Sequence, residues 1–97
     1  MGALWRIGMS VRYKISVKGR VQGVFFRAST RDKANELDLT GFVRNEPNGS
    51  VYIEVQGDRK NELVAWIKAG GPPMGRVDEI QVEEAEELNF NEFRIQY

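Results

Sequence analysis

From Val11 onward apolar and polar residues alternate strictly. Val11, Tyr13, Ile15 and Val17 fall on one face, and Arg12, Lys14, Ser16 and Lys18 on the other. A period of two marks a half-buried strand. A glycine-bounded stretch follows, Gly19-Arg20-Val21-Gln22-Gly23. The period then lengthens: Phe26, Thr30, Ala34 and Leu37 line up opposite a charged face of Arg31, Asp32, Lys33 and Glu36, which predicts a helix over about 26–37. Residues 41–47 read as a second strand. Asn48-Gly49 predicts a two-residue hairpin with a type I′ turn, since both residues tolerate positive φ. The return strand carries Val51, Ile53 and Val55 against Tyr52, Glu54 and Gln56. Asp58 suits the N-cap of a second helix with Leu63, Val64 and Ile67 as its stripe, and Gly70-Gly71-Pro72-Pro73 stops it. A fourth strand near 76–84 holds Val77, Ile80 and Val82, whose change of phase predicts an irregularity between 77 and 80. The acids from Glu83 to Glu87 suit a solvated strand end and loop. Phe93, Ile95 and Tyr97 suggest a short last strand.

The order is β-α-β-β-α-β with a brief final strand. It predicts an α+β protein of the ferredoxin-like βαββαβ sandwich type, an antiparallel or mixed sheet with both helices on one face. Residues 1–9 show no period and are set apart as an N-terminal extension, leaving 10–97 as one domain. No stretch has a secretory pattern or approaches the roughly 20 apolar residues of a membrane span. A cytoplasmic protein is expected.

Composition narrows the chemistry. Of 97 residues, 41% are hydrophobic and 29% charged, as in ordinary folded domains. The chain has no cysteine and no histidine. Disulfides, thiolate metal sites, a cysteine nucleophile and histidine bases are therefore excluded, and no metal or other cofactor is expected. Catalysis must rest on carboxylates, Lys, Arg, Tyr, hydroxyls, amides or the backbone. Net charge is zero but uneven: residues 1–47 carry nine Lys and Arg against four acids, and the remainder reverses that balance. The halves can neutralise each other in the fold, or an anion site can belong to the first half.

One segment joins both properties. Gly19-Arg-Val-Gln-Gly-Val-Phe-Phe-Arg27 links a strand to a helix start, where glycines let amides turn inward and the helix offers unpaired N–H groups. Arg27 stands in the first turn, where the helix dipole disfavours a cation, and its fork suits two oxygens of one phosphate. A plain tight turn beside a surface arginine is the competing reading. The spacing does not fit the Gly-Lys-Ser/Thr loop of nucleotide hydrolases.

This segment resembles the phosphate-loop signature of the acylphosphatase family, and Gly41-Phe-Val-Arg-Asn45-Glu-Pro-Asn-Gly49-Ser-Val51 resembles its second signature. Gly70-Gly-Pro-Pro73 and the ending Phe93 to Tyr97 also fit, so the likeness covers residues 11–97. It implies hydrolysis of acyl phosphates to carboxylate and inorganic phosphate without metal. It implies that Arg27 and the amides of Gln22, Gly23, Val24, Phe25 and Phe26 bind the phosphoryl group, with the Phe26 side chain in the core. It implies that Asn45 orients the attacking water, although an asparagine before Glu-Pro also suits a plain turn. Phe25 occupies a variable loop position where its bulk shapes access. Asp38 stands where the family commonly has glycine after the first helix. The expected partners are a small acyl phosphate and phosphate or sulfate as product-like ligands, with no nucleic acid, no membrane and a monomeric chain.

Two other functions compete. A noncatalytic module could bind phosphate or carbamoyl phosphate in the same cradle. RNA-recognition domains share this element order, but here the aromatic pair expected on the first and third strands is missing and only Tyr52 could stack on a base.

Overall fold

The computed structural model describes residues 10–97. The N-terminal extension assigned to residues 1–9 lies outside them. The elements are β1 (Val11–Arg20), α1 (Phe26–Glu36), β2 (Thr40–Asn45), β3 (Val51–Gln56), α2 (Lys60–Lys68), β4 (Arg76–Glu86) and β5 (Phe93–Gln96). They form one sheet in the order β4-β1-β3-β2-β5. All pairings are antiparallel except β2 with β5, which run parallel. The expected βαββαβ arrangement with a mixed sheet is therefore the observed one.

Register explains the core. Ile15 pairs with Ile53 and Val17 with Val51, while Val43 lies beside Ile53 on one side and Ile95 on the other. These residues share the face covered by Phe26, Ala34 and Leu37 of the first helical segment and by Leu63, Val64 and Ile67 of α2, all buried. Phe26 packs near Trp66 with ring centroids 6.2 Å apart. The same parity puts Asn45, opposite Val51, on the helix-covered face at the very end of β2. The opposite face carries Arg12, Lys14, Phe42, Arg44, Tyr52 and Glu54.

The irregularity read between 77 and 80 is a bulge. Lys18 pairs with Glu79 and Gly19 with Val77, so Asp78 is the extra residue. Without it Val77 and Ile80, three apart, would point to opposite faces. Asp38 takes the left-handed conformation after α1 (φ 56°), and the Leu39 amide closes the end by donating to Ala34 O at 2.9 Å.

Five local expectations are corrected. β1 runs on through Gly19 and Arg20, because Gly19 pairs with β4 so closely that a Cβ there would lie 2.2 Å from Arg76 O. The curling of the loop thus falls to Gly23 alone of the two glycines. The hairpin is not a type I′ turn: Glu46 O accepts from the Gly49 amide at 3.1 Å, Glu46 N donates to Ser50 O at 2.9 Å, and only Gly49 has positive φ. Pro47 fixes the negative φ of a type I turn, and Gly49 completes a G1 bulge. β2 accordingly ends at Asn45 instead of reaching Pro47. Asp58 does not cap α2; Arg59 is the N-cap residue and its guanidinium pairs with Glu62 at 2.7 Å. β4 also extends to Glu86, since Val11 still has a partner there. Among the described residues no helix is long and apolar enough to cross a membrane.

Candidate active site

The segment between β1 and α1 alternates in direction. Val21, Val24 and Phe26 send buried side chains into the core, while Gly23 and Phe25 face outward. The buried residues anchor the loop, and the outward ones set its curvature. Gly23 (φ 74°) and Phe25 (φ 61°) are both left-handed, with Val24 between them. Alternating hand turns successive amides toward one side and makes a concavity for an anion. At Gly23 a Cβ would meet nothing within 4 Å, so the demand for glycine there is conformational and the approach from outside stays open.

The amides are uncommitted. The first α1 bond is Ser29 N to Phe25 O at 2.9 Å. Among the described residues, no carbonyl or side chain accepts from the amides of Gln22 to Ala28. The helix has no acidic residue in its first turn and no side-chain cap. Donors and the positive dipole end are therefore available to an external anion.

Arg27 stands beside them, half-buried. Among the described residues no carboxylate lies within ion-pair distance of its guanidinium; its neighbour is the ring of Tyr97, whose centroid is 4.9 Å from Cζ. This cation–π contact holds the guanidinium without pairing its charge with a carboxylate. Asn45 reaches the same place from β2, and its Oδ1 is buried without a protein donor among the described residues. Buried polar atoms are almost always satisfied, so an orphan acceptor marks a place for a donor from outside. Gly23, Arg27, Asn45 and Tyr97 line one cavity of about 290 Å³.

The side chain of Gln22 was not singled out by sequence reasoning, which used only its amide. Its Nε2 donates to Ser50 O at 2.7 Å and Glu46 O at 3.0 Å. Two carbonyl partners fix which amide atom is nitrogen. The bonds clamp the anion loop to the hairpin that begins just after Asn45, and thereby set the distance between loop and asparagine. Tyr97 likewise escaped notice as a site residue. Gln22 sits inside the loop motif, which gave a signal of importance without a partner; nothing in the sequence signals that Tyr97 meets Arg27.

A βαββαβ domain whose first strand-to-helix loop presents amides, a free guanidinium and an unpartnered asparagine oxygen in one cavity belongs to the proteins that receive small oxyanions. The comparisons are specific. The Acylphosphatase family model matches residues 13–95. An acylphosphatase of Methylococcus capsulatus is 46% identical over 87 residues, covering 87% of this chain and 94% of the relative. One from Caldivirga maquilingensis is 47% identical, covering 94% and 99%. The crystal structure of the Bacillus subtilis acylphosphatase superposes with a TM-score of 0.84 at 36% identity, covering 90% of this chain and 99% of that one. The chain belongs to the acylphosphatase family and is an acyl phosphate hydrolase.

Proposed function

We propose that the β1–α1 loop and Arg27 hold the phosphoryl group of the substrate while Asn45 places the water that attacks it. The amides of Gln22, Gly23, Val24, Phe25 and Phe26 and the Arg27 guanidinium donate to the nonbridging oxygens. Phosphoryl transfer spreads charge over these oxygens, so fixed donors stabilise the transition state more than the ground state. The Asn45 Oδ1 accepts a hydrogen of the water and orients it in line with the bond to the acyl oxygen. The water oxygen bonds to phosphorus, the phosphorus–acyl oxygen bond breaks, and the carboxylate departs with its electron pair. Its conjugate acid has a pKa near 4, so departure needs no general acid. The asparagine is no base, and the water proton passes to a phosphoryl oxygen of the substrate itself. No side chain must titrate near neutrality, in keeping with a chain that has no histidine.

The observation that carries this reading is that Asn45, whose Oδ1 has no protein donor among the described residues, lines one cavity with Arg27 and the loop. A phosphate-binding module without catalysis would need the cradle and would have no use for that atom. We assign a monomeric chain acting on a small acyl phosphate in the cytoplasm. Hydrolysis of benzoyl phosphate in excess EDTA, with inorganic phosphate as competitor, tests the assignment. Asn45→Ala should lower kcat by about 10²-fold, the scale of lost positioning, with competition by phosphate retained. Full turnover by that variant would remove the water-placing role.

A further inference from the structure

The cradle explains the backbone of Phe25 and leaves its side chain unexplained. The left-handed conformation serves the alternation with Gly23, and many residues of small size would supply it at less cost. Instead a phenylalanine stands there, 83% exposed. Tyr97, also exposed, lines the same cavity with its ring on the Arg27 guanidinium. Aromatic side chains left in water forgo the burial that usually selects them. Two of them beside one cavity therefore suggest a ligand surface that covers them.

The cavity has room for such a surface. Its volume is about 290 Å³, while a phosphoryl group brings only a phosphorus and its oxygens. Among the described residues Arg27 is the sole charged side chain lining it; Val21, Ala28 and Ile95 add apolar walls to Phe25 and Tyr97. With the phosphoryl group in the cradle and water held by Asn45, in-line geometry sends the acyl group away from Asn45. Among the described side chains that line the cavity, an acyl group bearing its own carboxylate or ammonium meets none of opposite charge once Arg27 is engaged.

We propose that Phe25, together with Tyr97, selects acyl phosphates whose acyl group is aromatic or bulky and apolar over those with a short acyl group. The inference rests on the hydrolytic reading above and adds a substrate class to it.

The test compares kcat/KM for benzoyl phosphate and acetyl phosphate in the wild type, Phe25→Ala and Phe25→Leu. The wild type should prefer benzoyl phosphate by about tenfold or more, the scale of one aromatic contact. Phe25→Ala should bring the benzoyl-to-acetyl ratio down by about tenfold, and Phe25→Leu should keep it within about threefold of the wild type. An unchanged ratio in Phe25→Ala overturns the proposal, even if both substrates slow equally, because an equal loss assigns the effect to the loop backbone. A wild type that prefers acetyl phosphate overturns it as well. Failure of the wild type to hydrolyse either substrate would instead defeat the hydrolytic reading beneath it, and this inference with it.

Discussion

The open face of the sheet and the crevice at the end of β1 treat their polar groups in opposite ways. On the open face they are spent on one another. Arg12 Nε lies 2.8 Å from Glu54 Oε1, off the line of an ideal hydrogen bond, with side chains only 12% and 13% exposed. Another Arg12 nitrogen donates to Glu86 O. The Tyr52 hydroxyl donates to the other Glu54 oxygen at 2.6 Å, and Arg44 pairs with Glu46 at 3.0 Å while stacking 4.9 Å over the Tyr52 ring. The stack also covers the one aromatic face that could have received an RNA base. In the crevice the Gln22 to Ala28 amides and the Asn45 oxygen have no hydrogen-bond partner among the described residues, and the Arg27 guanidinium meets the Tyr97 ring and no carboxylate. Partnered groups stabilise the fold; unpartnered ones cost stability and are held ready for a ligand.

Exchanging the fates of two arginines gives the widest separation. Arg27→Ala should lower kcat/KM by about 10²-fold or more and weaken phosphate competition, with thermal stability equal to the wild type or slightly higher. The gain is expected because a cation leaves the positive end of α1. Arg12→Ala should do the reverse. It strands Glu54 and should cost about 3 kcal/mol, a fall in Tm of about 12–24 °C for a domain of this size, with activity retained where the protein is folded. Kinetics and melting curves on the two variants check both halves. Equal effects on both properties would dissolve the distinction.

Gln22 sits between the two categories, since its bonds are internal but hold the site together. Gln22→Ala should cost about tenfold in kcat, less than losing Arg27, because the loop amides persist but lose their fixed spacing from Asn45. Gln22→Glu should be at least as poor, because a carboxylate cannot donate to Ser50 O and Glu46 O. Steady-state kinetics with phosphate as competitor measures this, and unaltered kcat in both variants would make the clamp merely structural.

The smallest effect lies on the open face at high pH. Burial, helped by the hydrogen bond to Glu54, pushes the Tyr52 hydroxyl up to about 12 from its ordinary 10.0. The folded state thus favours the protonated phenol. The resulting stability is fully present below pH 10 and is lost as pH rises through about 12. Tyr52→Phe should flatten that alkaline decline of the denaturation midpoint and leave hydrolysis at neutral pH unchanged. An identical slope in the variant would deny Tyr52 this role.

Legibility in the sequence followed the range of the forces involved. Period-two strands, the α1 stripe and even the bulge before Ile80 were readable because each reflects which side of its own element a residue must bury. The β1–α1 loop and Asn45 were singled out because two short motifs resembling the family's signatures carry them, and the structure brings Gly23, Arg27 and Asn45 to one cavity. The Asn48-Gly49 turn was misread because Pro47, one residue earlier, has no N–H to complete the bond pair that closes a two-residue hairpin, and its fixed φ suits the first central position of a type I turn. The Asp58 cap failed because Arg59 and Glu62 offer a competing pair one residue later. The Arg12–Glu54 pair, the Gln22 clamp and the Tyr97 contact join elements far apart in the chain, and no local pattern encodes them. The uneven charge between the halves hinted at both outcomes: Lys14 of β1 faces Glu83 of β4, and the uncommitted arginine still belongs to the basic half.

The central claim is that the main chain from Gln22 to Phe26 receives a phosphoryl dianion. Titrating 15N-labelled protein with inorganic phosphate, at concentrations that inhibit hydrolysis, reads those amides one by one. The resonances of Gly23 to Arg27 and the side-chain amide of Asn45 should move together and saturate at a single midpoint. Inhibition accompanied by shifts elsewhere, with these amides unmoved, would contradict the account.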